Sequence, residues 1–220
     1  MSLAAVLGLG FFLGIRHATD ADHVLAVTTI VSRARSIGAA ARVGALWGLG
    51  HTATILLVGG AIILFGLTIP PRLGLSMELC VAVMLVVLGL LNVTQRARSA
   101  RAPEHENTHP DRRLRPLLVG LVHGLAGSAA VALLVLTSVR DAGWALLYLL
   151  VFGLGTVGGM VLLTSAIAIP ATVTAERFQS FQRTLVRLTG AASVAFGLFL
   201  FYQIGFVDGL FSGSPSWDPH

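Results

Sequence analysis

Arg16-His17-Ala18-Thr19-Asp20-Ala21-Asp22-His23 lies inside an otherwise apolar run over residues 3–31. Within two helical turns it places two imidazoles, two carboxylates and a guanidinium at what should be bilayer depth. Each charge there costs at least ~2.5–3.5 kcal/mol by insertion scales. A chain retains such a cluster when its members pair with one another or serve a purpose. Histidine and aspartate are the side chains that bind divalent first-row metals.

The rest of the chain has the composition of a bilayer protein. Of 220 residues, 55% are hydrophobic and only 11% are charged, against about 25% charged in soluble domains. The mean hydropathy is +0.84. Apolar runs of about twenty residues without period-two alternation select helices over a closed barrel. The expected fold is all-α: a polytopic membrane bundle of about six spans, near residues 3–31, 43–67, 75–94, 117–138, 143–169 and 185–207.

Charge sets the expected topology. Every one of the 15 basic residues is an arginine. Twelve of them fall in the first, third and fifth loops, and the opposite side holds only Arg72 and Arg140. Cytoplasmic loops carry the arginine excess, so those three loops are placed in the cytoplasm and both termini outside. The chain is expected to be a multi-pass protein of the cell, or inner, membrane. The high isoelectric point, 10.9, then reflects topology, and no nucleic-acid partner is expected. Residues 1–14 have no basic n-region and are read as the start of a retained helix. The single cysteine, Cys80, excludes an intramolecular disulfide.

The two halves resemble each other. Gly14-Ile15-Arg16-His17 aligns with Gly120-Leu121-Val122-His123, Gly48-Leu49-Gly50 with Gly153-Leu154-Gly155, and Leu88-Gly89-Leu90 with Phe196-Gly197-Leu198, all at offsets of 105–108. A repeat with an odd number of spans must enter the membrane in opposite orientations. Such inverted repeats characterise transporters, with the site near the midplane. The expected organisation is a first three-helix repeat over 1–95 carrying the metal motif, a cytoplasmic polar linker over 96–115, a second three-helix repeat over 116–207, and a tail over 208–220. The abundant glycines are read chiefly as close-packing positions between helices.

On a regular helix, at about 100° per residue, His17, Asp20 and His23 share an arc of about 120° while Asp22 points elsewhere. If the helix unwinds here, Asp22 can join the imidazoles. Broken helices are tolerated where they line a cavity. An Arg16–Asp20 pair at i, i+4 would account for two of the charged groups, but not for two histidines and a second carboxylate.

The motif His17-Ala18-Thr19-Asp20-Ala21-Asp22-His23 resembles the H-x-x-x-x-D-H signature of the nickel/cobalt transporter family, preceded by a similar Leu13-Gly14-Ile15-Arg16. Gly48-Leu49-Gly50-His51-Thr52 is similar to that family's second-span histidine motif. The resemblance covers the first half well and the second loosely. Gly153-Leu154-Gly155-Thr156-Val157-Gly158 lacks the acidic motif of the larger members, and the short chain looks most like the urease-accessory branch. The resemblance implies essential roles in nickel or cobalt uptake for His17, Asp22 and His23, and it supports His51.

The candidate metal and transport residues are therefore His17, Asp20, Asp22, His23 and His51. His123, Thr52 and Asn92 are secondary candidates. Ser128 could add an oxygen, and His105 and His109 could hold metal transiently in the linker. No catalytic residue, enzymatic activity or resident cofactor is expected. The partners are a divalent metal ion as substrate, the lipid bilayer, and a downstream metallochaperone or a second copy of the chain. Nothing resembling a nucleotide-binding G-x-x-x-x-G-K-[ST] loop is present, so the expectation is a secondary importer of nickel or cobalt. Export of the same metals, and a membrane accessory handing metal to a soluble protein, are the alternatives.

Overall fold

The computed structural model describes residues 3–31, 36–99, 114–126, 141–174 and 179–217. Among them every regular element is helical: α1 (Leu3–His17), α2 (Ala21–Val31), α3 (Ile37–Phe65), α4 (Pro71–Ser99), α5 (Leu114–Ala126), α6 (Ala142–Thr174) and α7 (Gln179–Tyr202). A π-helical turn, Gln203–Val207, follows α7. Four stretches are long and apolar enough to cross a bilayer: Ile37–Phe65, Pro71–Thr94, Ala142–Ile169 and Val186–Val207. Large apolar side chains cover the outside, with Leu57 and Phe65 each 75% exposed. Such a surface suits lipid and would be an aggregation hazard in water. The chain is a helical membrane protein.

Local chemistry explains where these helices stop. Ser36 caps α3, its hydroxyl accepting from the Ala39 amide at 3.1 Å, and Gly66 ends the helix at φ 62°. Pro71 opens α4 where a missing amide proton costs nothing. The expected 3–31 span is two short helices. Residues 18–20 form a turn in which the Thr19 and Asp20 amides donate to Arg16 and His17 carbonyls at 2.8 and 3.1 Å. The linker at 100–113 and most of the expected 117–138 span, including Ser128, lie outside the described residues, as do His105 and His109.

The break sends the two short helices to different partners. α1 packs on α6, whereas α2 packs mainly on α4 and α7. One apolar cluster joins Val6 and Leu13 to Ile55, Tyr148, Leu149 and Phe152. A second joins Ala26, Val27 and Val31 to Leu85, Leu88 and the α3 face. A third holds Leu75, Ala82 and Ile204 together at the other end of α4 and α7. Between the second and third clusters, facing the start of α2, a gap remains.

Glycine sets the closest approaches, and these come in matched pairs. A β-carbon on Gly14 would strike the Phe152 carbonyl, and one on Gly120 would strike the Trp47 carbonyl. Gly50 lies on the Leu117 carbonyl as Gly155 lies on that of Phe11. Gly89 lies against Gly190 and Val194 as Gly197 lies against Ala82 and Val86. Replacing each residue by its counterpart 105–108 positions away turns one contact of each pair into the other.

Candidate metal centre

The turn after α1 brings together what a straight helix would separate. His17 is the last residue of α1, while Asp22 and His23 stand in the first turn of α2. His51, from the middle of α3, and His123, from α5, close over them. His23, His51 and His123 are 1%, 0% and 1% exposed. The ring centroids of His17, His51 and His123 lie 4.7, 5.0 and 4.2 Å from that of His23. Asp22 thus joins the imidazoles, as expected for an unwound helix.

Hydrogen bonding orients each ring. A carboxylate only accepts. Asp22 Oδ1 accepts from the His23 amide at 2.8 Å and from His23 Nδ1 at 3.0 Å, and Asp22 Oδ2 accepts from His123 Nε2 at 2.8 Å. The protons therefore sit on those nitrogens, and His23 Nε2 and His123 Nδ1 keep their lone pairs. Both atoms are buried without a hydrogen-bond partner. Asp20 Oδ2 accepts a hydrogen bond from His17 Nδ1 at 2.8 Å. It turns to His17 and not to Arg16, which is exposed. His17 Nε2 is then a lone pair as well, and it faces His51 Nε2 at 3.0 Å.

A carboxylate behind an imidazole fixes tautomer and orientation and raises the basicity of the nitrogen facing the metal. Asp20 does this for His17 and Asp22 for His23. Ligand atoms of His17, His23 and His51 all lie within 4.8 Å of one another, as do those of Asp22, His23 and His123. Two triads thus overlap at His23. Two nitrogens on one first-row cation, each at about 2.0–2.1 Å, stand roughly 2.9–3.4 Å apart. The 3.0 Å between His17 and His51 fits that spacing as well as an N–H···N bond.

Aromatic rings floor the cluster. His17 lies 5.5 Å from Phe152, and His123 lies 5.6 Å from Trp47. Trp47 also stacks on His23 at 6.3 Å and 18°. Neither aromatic figured among the sequence candidates, although each immediately precedes a Gly-Leu-Gly of the repeat. That shared position was the available signal. Two secondary candidates do other work. The Thr52 hydroxyl donates to the Gly153 carbonyl at 3.1 Å, tying α3 to α6. Asn92 is buried between α4 and α7 beside Gly190 and does not line the cavity at the cluster.

No family model and no solved structure matches the chain. The urease accessory protein UreH of Bacillus sp. (strain TB-90) is 36% identical to it over 226 aligned residues, spanning 96% of each chain. The chain belongs to the UreH family of urease accessory proteins.

Proposed function

We propose that this protein is a secondary transporter that imports nickel or cobalt ions through the His17/Asp22/His23/His51/His123 cluster. The observation that carries the reading is the pair of overlapping triads, together with buried ring nitrogens of His23, His51 and His123 that have no hydrogen-bond partner. Leaving such groups dry and unused costs about 1–3 kcal/mol each. A cation that replaces its water with imidazole nitrogens repays that cost.

Depth supports the same reading. α1 is 15 residues long and α2 is 11, so the turn stands about 22 Å from one end of the broken span and about 16 Å from the other. The exchangeable glycine contacts support two inverted three-helix repeats, over 1–95 and 116–207, with the site between them. The name of the relative and the resemblance of His17–His23 to the nickel/cobalt transporters favour these two metals. Imidazole with carboxylate suits them, and no thiol or methionine cluster favours copper(I). Because the triads share His23, one ion can pass between them without losing all its ligands.

No nucleotide is required. A divalent cation crossing a 100 mV potential gains roughly 4.6 kcal/mol, enough for about a 10³-fold gradient. Across a membrane that is negative inside, this force is inward. Binding needs neutral imidazoles, so acidification opposes uptake.

The test is radioactive nickel and cobalt uptake in proteoliposomes under an imposed potential. Wild type should take up metal, and His17→Ala, Asp22→Asn and His51→Ala should lose most of it. Equal fluxes in all four would defeat the proposal, and flux that runs only outward would reassign the protein as an exporter. If deletion of residues 102–111 abolished function in cells while proteoliposome uptake persisted, the accessory reading would gain.

A further inference from the structure

A cavity of about 460 Å³ lies between the 18–20 turn with the start of α2 and the facing parts of α4, α5 and α7, and it reaches the histidine cluster. His23 and His123, each with a buried nitrogen lacking a hydrogen-bond partner, stand among its walls. The remaining polar lining comes from His17, Asp20, Asp22, Glu78, Gln203 and Asp208. This protein carries a net charge of +5 and 15 arginines. Among the described residues lining this cavity, however, there are four carboxylates and no arginine. An acidic wall that includes imidazoles with unpartnered nitrogens is complementary to a cation.

The carboxylates are held in place. The chain leaves α7 through the π-helical turn Gln203–Val207, a departure often found at functional sites. It doubles back at Gly209, whose φ of 81° suits glycine. Gln203 Nε2 donates to Asp208 Oδ1 at 3.4 Å, and the Ser216 amide donates to the Asp208 carbonyl at 3.0 Å. Trp217 then lies over Gly74, where any side chain would collide with its ring, and its indole N–H donates to Glu78 Oε1 at 2.8 Å. The segment 208–217 thus straps Glu78 and Asp208 at the cavity.

We infer that Asp20, Glu78 and Asp208 form the entry vestibule, an outer subsite where a hydrated divalent cation is collected before it reaches His23 and His123. This rests on the transport reading. The arginine distribution puts the mouth on the extracytoplasmic side, since α4 begins there and α7 ends there. The vestibule acts on capture and not on translocation, because its carboxylates concentrate the ion ahead of the imidazoles.

The experiment is initial-rate nickel uptake in proteoliposomes over a range of metal concentrations and ionic strengths. It compares wild type with Glu78→Gln, Asp208→Asn, their double variant, Glu78→Asp and His23→Ala. The amide variants keep the oxygens that accept from Trp217 and Gln203. Expected for the double variant is a KM raised about tenfold with kcat unchanged. The wild-type KM should climb with salt more steeply than that of the double variant, and Glu78→Asp should stay close to wild type. A double-variant KM within about twofold of wild type, with uptake abolished in His23→Ala, would overturn the vestibule and leave the transporter standing. Undiminished uptake in His23→Ala would remove the transporter and the vestibule with it. A fall in kcat and melting temperature shared by Glu78→Asp would reduce these residues to a structural role.

Discussion

The two halves of the molecule meet the site differently. In the first half, the helix carrying His17 stops there, turns over residues 18–20, and restarts with Asp22 and His23 in its first turn. In the second half, α5 runs unbroken through His123 to Ala126. Ala126 is the counterpart of Asp20, and Ser128 and Ala129 are the counterparts of Asp22 and His23. The aligned pair His17 and His123 is present in both halves, seated on Phe152 in one case and Trp47 in the other. The carboxylates survive on one side only. The comparison teaches that the close-packed frame and the ion-handling chemistry are separable. Glycine contacts recur in both halves, whereas the polar turn belongs to one.

The largest effect separates the two halves directly. His23→Ala removes the ring shared by both triads and should cut nickel uptake more than 100-fold. His123→Ala removes one ring of the second triad, leaves the first triad whole, and should cost about tenfold. Equal losses, measured as initial rates in proteoliposomes, would erase the asymmetry. Next come the two carboxylates. Asp22 orients two buried histidines, while Asp20 is half exposed and orients one. Asp22→Asn should therefore weaken nickel binding about 100-fold and Asp20→Asn about tenfold, by calorimetry on purified protein. The reverse order would mean that His17 and not His23 is the hub.

Smaller effects probe the shared frame. Gly50→Ala and Gly155→Ala place a methyl against equivalent carbonyls. Both should lower stability by similar amounts, about 1–3 kcal/mol each, read as thermal melting in detergent. Unequal losses would show that one half bears the packing. Smallest is Thr52→Val, which deletes the bond to Gly153. It should cost about 1 kcal/mol of stability and leave uptake within about twofold of wild type. A collapse of uptake would restore Thr52 as a ligand.

Much of this was legible along the chain. Apolar runs alone predict helices in lipid, because the backbone there must bond to itself. His17, Asp20, Asp22, His23 and His51 were candidates by residue type and depth, and the structure gathers all five. His123 was ranked lower because no carboxylate neighbours it in sequence. The carboxylate it uses is Asp22, a full 101 residues away. Glu78 and Asp208 carried no signal at all, since each sits singly at the end of an apolar run and only the returning strap gives it a place.

Composition and periodicity by themselves determined that this is a helical membrane protein with a His/Asp cluster in its first apolar run. Both depend on local properties, hydropathy over twenty residues and ligand type over eight. Whether that span was straight or broken was a tertiary matter. One register satisfies Asp20 within the helix and turns Asp22 away. The other spends a turn to seat Asp22 between His23 and His123, and the choice depends on α3 and α5 closing over the gap. Helix packing also made Asp20 and Asp22 the orienting groups behind imidazoles. Hydrogen-bond direction in a buried network is set by every partner at once, and most of those partners are remote in sequence.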